Sequence, residues 1–220
     1  MNITLKCTLI TSLIQFSVAA FVFGAEPSAP SVSTDAALAN LKEGNARFAT
    51  HEMSEGKPNA AKRAETAQTQ RPFAIVVGCA DSRTSPELIF DHNIGDLFVV
   101  RTAGNLVDDY GLGSIEYAVN HLGARLIVVV GHDGCGAVKA ALTSDTAPGH
   151  IQSLVRAIQP AVQAVKGKEG DPLHLAITEN ARLMADKIRS QADFGELAKE
   201  VRIVFGVYDL ATGKVEWGKE

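Results

Sequence analysis

Cysteine is scarce in this chain of 220 residues: three in all, Cys7, Cys79 and Cys135. Tryptophan occurs once, aromatic residues make up 6%, and no run of lysine or arginine is present. Together with a net charge of −4, this argues against the basic, base-stacking surfaces that hold nucleic acid. Internal repeats are absent and no second domain is visible, so the length implies one domain with a sizeable core. Only one long stretch is free of charge, residues 7 to 25, preceded by Lys6. With the small residues Ala20, Gly24 and Ala25 near its end, it reads as an export signal over 1–25 that is removed. A retained membrane anchor is the alternative, since a span needs roughly 20 apolar residues. Ser, Thr and Gln dilute the stretch, however, and the Pro/Ser/Ala-rich residues 26–34 read as a flexible linker.

What the chain does have is alternation. Ser33 or Thr34 can cap a helix from Asp35 to about Thr50, an N-terminal helical arm with Leu38, Leu41 and Phe48 as its apolar stripe. Apolar runs follow at 73–78, 97–100, 125–130 and 201–208, with Val215-Glu216-Trp217 as a further short strand. Helices are expected near Pro86 and over about 112–122, 136–143, 150–166 and 173–190. Continuous apolar strands alternating with helices predict an α/β domain over 35–220. Its centre is a mainly parallel sheet with helices on both faces. Ligands of such sheets bind at the carboxyl ends of strands.

Two of these ends carry the chemistry. Cys79-Ala80-Asp81-Ser82-Arg83 follows Ala74–Val77, and His132-Asp133-Gly134-Cys135 follows Leu126–Val130. Once a signal is removed, Cys79 and Cys135 are the only cysteines left, and in an oxidising compartment they could form one disulfide. A disulfide needs neither His132 nor the Asp-x-Arg sequence. Two thiolates and an imidazole supply three of the four ligands of a tetrahedral zinc and leave a position for water, as catalytic zinc sites do. With two thiolates the centre is formally neutral, so a nearby group must manage the water proton. Asp81, held ionised by a bidentate pair with Arg83, can accept a hydrogen bond from a zinc-bound hydroxide and turn its oxygen lone pair toward the substrate. Released from Arg83, Asp81 could instead become the fourth ligand, a closed state and a pH switch.

Cys-Ala-Asp-Ser-Arg after one strand, Arg101-Thr102-Ala103-Gly104-Asn105 after the next and Gly131-His132-Asp133-Gly134-Cys135-Gly136-Ala137-Val138 after a third resemble the β-class carbonic anhydrases. Leu41–Phe48 and Ser114–Val119 extend the resemblance, which spans roughly 35 to 210. It implies Cys79, His132 and Cys135 as ligands of one zinc ion per chain and Asp81–Arg83 as the catalytic dyad. It also implies a carbon dioxide pocket lined by Gln70, Phe98, Ala103, Gly104 and Tyr117, built across the interface of a homodimer or a dimer of dimers. The implied reaction is reversible hydration of carbon dioxide to bicarbonate and a proton, with zinc-bound hydroxide as nucleophile. With the export signal, the expected compartment is the periplasm, with no membrane attachment after processing.

Two departures stand out. Thr102 replaces the Asn that many members carry. Val76 stands where a bicarbonate-regulated subgroup has Trp, although Arg101 and Tyr208 fill the other two positions of that triad. His92, His121, His150 and His174 read as surface or structural residues, any of which could relay a proton. Asp133 is either an orienting partner of His132 or an ordinary turn residue. The rival readings are hydrolysis of carbonyl sulfide or carbon disulfide on the same scaffold, and a non-enzymatic exported protein that forms a disulfide or binds zinc.

Overall fold

A computed structural model describes residues 28–54 and 60–219; the expected signal peptide lies outside them. The five strands of the sheet are β1 (Ala74–Cys79), β2 (Leu97–Thr102), β3 (Leu126–His132), β4 (Arg202–Tyr208) and β5 (Val215–Trp217), in the order β2-β1-β3-β4-β5. The first four are parallel and β5 runs antiparallel to β4. β1 and β3 sit at the centre and are buried along their whole length, which is why they read as unbroken apolar runs. Gly78 pairs with Val130, so the two strands finish at the same edge, at Cys79 and His132.

Alternate side chains serve opposite faces. Ile75, Val77, Ile127 and Val129 pack under four helices: α4 (Asp109–Leu122), α5 (Gly136–Thr143), α6 (Ile151–Val165) and α7 (Pro172–Gln191). Val76, Val128, Val130 and Val204 face the smaller cover. It is formed by α1 (Thr34–Ala49), the expected N-terminal helical arm, and by Ile89 and Phe90 at the end of α3 (Pro86–Ile89). A further short helix, α2 (Ala60–Thr66), buries nothing.

Capping sets the helix starts. Asp108 accepts from Gly111 N, so α4 begins three residues before the expected Leu112. Asp171 accepts from Leu173 N and His174 N, with Pro172 in the first turn of α7. Asn45 fastens α1 to its neighbours: Nδ2 donates to Ile89 O and Gly213 O, and Oδ1 accepts from Val215 N.

The described part of the expected linker is docked. Ser28 Oγ donates to His121 O at 2.6 Å, and Arg125 Nη2 donates to Ser28 O at 3.0 Å. Gly123 ends α4 at φ 78°, and a Cβ there would lie 2.5 Å from Ala29 O. Both its backbone angle and this close approach require glycine.

Candidate metal centre

β1 delivers Cys79, β3 delivers His132, and the turn at Asp133-Gly134 returns Cys135 to cap α5. All three residues are buried, and their Sγ and ring nitrogen atoms lie within 4.8 Å of one another. Both cysteines are free thiols, so the disulfide considered for them is not formed.

The orientation of His132 follows from one contact. Its Nδ1 is 2.9 Å from Asp133 O. A carbonyl only accepts, so Nδ1 carries the hydrogen and neutral Nε2 presents a lone pair. That Nε2 is buried with no hydrogen-bond partner. An unsatisfied buried acceptor is costly in a native core. Facing two thiols, it is explained by a cation that all three atoms share, and two sulfurs with one imidazole nitrogen suit zinc.

Backbone N–H groups converge on the sulfurs. Asp81 N and Gly104 N lie 3.4 and 3.3 Å from Cys79 Sγ, while the N–H groups of Ala137 and Val138 at the start of α5 favour the Cys135 thiolate. Cys79 is held as the thiolate, its pKa lowered first by a hydrogen bond from Cys135 and then by His132, Gly104 and Asp81, against the opposing effect of burial. The Cys135 thiol is pushed up by that facing sulfur and by burial. Burial works against a charged His132, yet the Cys79 thiolate outweighs it and raises the imidazole. A dication shared by the three atoms would displace the protons these groups otherwise hold.

Asp81 stands at the rim. Oδ1 accepts from Arg83 N at 3.0 Å and Nε at 2.9 Å, Oδ2 accepts from Arg83 Nη2 at 2.7 Å, and Oδ2 lies 3.8 Å from His132 Nε2. The Arg83 guanidinium holds the carboxyl well below the usual carboxylate range. The dyad is therefore in its paired arrangement. Arg101 buckles the segment from the neighbouring strand, its Nε donating to Cys79 O at 2.8 Å and its Nη2 to Asp81 O at 2.7 Å. Thr84 Oγ1 adds bonds to the same two carbonyls.

The expected pocket residues divide. Ala103 and Gly104 form a tight helical turn directly after β2, against the cluster. Phe98, on β2, is partly buried against the larger core. Gln70 and Tyr117 share a groove of about 470 Å³ with His121, and that groove contains no cluster residue. Arg101 is committed to the Cys79 and Asp81 carbonyls, while Val76 and Tyr208 pack on the smaller core.

The expected orienting role of Asp133 is present, while the contacts of Arg101, His174 and Asn180 carry no mark in the sequence. Arg101 acts on backbone rather than on a ligand. Asp133 orients His132 through its carbonyl, while its carboxylate pairs with His174 Nδ1 at 3.0 Å. Asn180 Nδ2 donates to Gly104 O at 2.8 Å.

Comparison with known proteins agrees with this geometry. The family described as carbonic anhydrase matches residues 74–215. The carbonic anhydrase of Mycolicibacterium smegmatis is 39% identical over 196 residues, which cover 85% of this chain and 94% of that protein. The β-carbonic anhydrase of Coccomyxa, solved with acetazolamide, superposes with a TM-score of 0.62 at 28% identity, covering 82% of this chain and 85% of that one. A chain from the study of two tetrameric β-carbonic anhydrases of the ascomycete Sordaria macrospora shares the fold. Its TM-score is 0.62 at 23% identity, over 71% of this chain and 89% of that one.

Proposed function

The chain belongs to the carbonic anhydrase family, in its β class, and we propose that it catalyses the reversible hydration of carbon dioxide to bicarbonate and a proton at a zinc held by Cys79, His132 and Cys135. One observation carries this reading: the buried, unpartnered Nε2 of His132 lies 3.8 Å from a carboxylate that Arg83 holds ionised. Zinc bound by these three residues supplies the Lewis acidity that makes water nucleophilic near neutral pH.

The protein's own groups do the rest. An ionised carboxylate accepts hydrogen bonds and donates none. Arg83 takes two bonds at Oδ1 and one at Oδ2, so Oδ2, the oxygen near His132, keeps acceptor capacity toward the cluster. A water placed there points a hydrogen at Asp81 and turns an oxygen lone pair away from it. Carbon dioxide meets that lone pair, a carbon–oxygen bond forms, and the departing proton leaves for solvent. Asp81 does not keep the proton, because Arg83 holds its pKa too low to bind one at neutral pH. Its role is orientation.

Ala103 and Gly104 wall the cluster side of the substrate site, and Phe98 lies on the adjoining strand. Gln70 and Tyr117 line a groove apart from their own chain's cluster, so we assign them to the site of a second copy in a homodimer or dimer of dimers. We assign 1–25 to a cleaved export signal, 35–220 to the enzyme domain, and the mature enzyme to the periplasm. N-terminal sequencing of the periplasmic protein checks the cleavage.

The deciding assay is stopped-flow hydration of carbon dioxide by the zinc-loaded chain, run beside hydrolysis of carbonyl sulfide. Rapid hydration with slower or no carbonyl sulfide turnover is expected. Hydration at the buffer rate with ready carbonyl sulfide hydrolysis would move the assignment to the sulfur substrate.

A further inference from the structure

We propose that Asn180 is a positioning residue of the metal centre, setting the Gly104 N–H on the Cys79 sulfur; this rests on the zinc assignment above. Gly104 has φ 75° and ψ 23°, and glycine there is free to rotate unless something outside the turn holds it. Its two polar ends are held differently. The N–H points at Cys79 Sγ, 3.3 Å away, and the carbonyl accepts from Asn180 Nδ2 at 2.8 Å. The carbonyl lies in the next peptide plane, so anchoring it limits the excursions of φ and ψ at Gly104 by which the N–H could leave the sulfur.

The walls of the turn agree. A Cβ on Gly104 would lie 3.0 Å from Ile158 Cδ1 and 3.3 Å from Ala137 Cβ, so α6 and α5 confine the backbone while α7 supplies its hydrogen bond. α7 is itself set against the other ligand strand. A Cβ on Gly131, the residue before His132, would lie 3.2 Å from Ile177 Cγ2 and 3.5 Å from Ala181 Cβ. One helix that contributes no metal ligand thus touches both the strand that bears His132 and the turn that faces Cys79.

The chemistry of Asn180 points the same way. It is 1% exposed, and its Oδ1 has no hydrogen-bond partner. The amide cannot be reversed, since Gly104 O needs a donor. A leucine has the same branching and strands no buried oxygen. What the amide supplies is the donor to Gly104, and through it a charge-assisted N–H···S bond that tunes a metal thiolate.

The test uses the full chain loaded with cadmium-113 and, separately, with zinc. In the unaltered protein the Gly104 amide proton should couple to cadmium through the Cys79 sulfur. In Asn180→Leu that coupling should vanish and zinc affinity, measured by chelator competition, should fall about tenfold. Should the leucine variant not fold, Asn180→Ser, too short to reach Gly104 O, is measured in the same way. A folded variant that keeps both coupling and affinity overturns the proposal, as does absence of the coupling in the unaltered, metal-loaded chain. Failure of the unaltered chain to take up either metal would instead strike the zinc assignment.

Discussion

Asp81 and Asp91 are both carboxylates paired with an arginine, and they do different work. The Asp91 side chain is wholly buried and sits where the chain turns at φ 51° after α3. Arg47 Nε reaches its Oδ2 at 2.6 Å, and Ser54 adds its N–H and its hydroxyl. This pair ties α1 to the loop that follows it and to the end of α3. Asp81 has an 18% exposed side chain, its arginine is more exposed still, and one oxygen lies 3.8 Å from His132 Nε2. Enclosure decides the outcome. A carboxylate ringed by donors is structural, whereas one with free acceptor capacity beside a reactive centre can direct chemistry.

The sharpest way to separate the two regions is to remove a ligand. Cys79→Ala or Cys135→Ala should abolish zinc binding and reduce carbon dioxide hydration to the buffer background, while Asp91→Asn should keep one zinc per chain by metal analysis. Retained zinc in either cysteine variant would undo the assignment.

Stability should divide the pair in the opposite sense. Asp91→Ala leaves Arg47 and Ser54 facing a buried gap and should cost about 2–3 kcal/mol in urea unfolding. Asp81→Asn, at a partly exposed pair, should cost at most about 1 kcal/mol. Equal losses would erase the distinction.

Arg83→Lys keeps the charge but not the two-pronged grip, so hydration should fall on the order of tenfold with zinc retained. An unchanged rate would mean that orientation of Asp81 is immaterial.

The smallest effect is on pH. Arg83 depresses the folded-state pKa of Asp81, so its stabilisation is present above the unfolded value of about 3.9 and fades as pH falls below it. The melting-temperature gap between the unaltered chain and Asp81→Asn should be constant from about pH 9 to 5 and close only at lower pH. A gap that closes near neutrality would show that Asp81 is not held by Arg83.

Much of the fold is legible in the sequence because its signals are local. β1 and β3 are covered on both faces, so their apolar runs are unbroken and the ligands stand out at their ends. Asp81 and Arg83 are close neighbours in the chain and close a turn together. What cannot be read there is polar contact between distant segments. Asn180 meets Gly104 across 76 residues, and Asn45 meets Gly213 across 168. An asparagine on a helix carries no mark of its partner. His174 reads as a surface or structural histidine, but its partner Asp133 is set only by the packing of α7 against the end of β3. Ser28 and Ala29 read as loose linker because Pro, Ser and Ala have no apolar period; they dock through backbone carbonyls, which every sequence has, and through one serine hydroxyl.

The most direct test of the claim that Asp81 directs the reaction is Asp81→Asn, with zinc content and stopped-flow carbon dioxide hydration measured on the same preparation. One zinc per chain with turnover reduced at least about a hundredfold is the predicted result. One zinc per chain with undiminished turnover would contradict it.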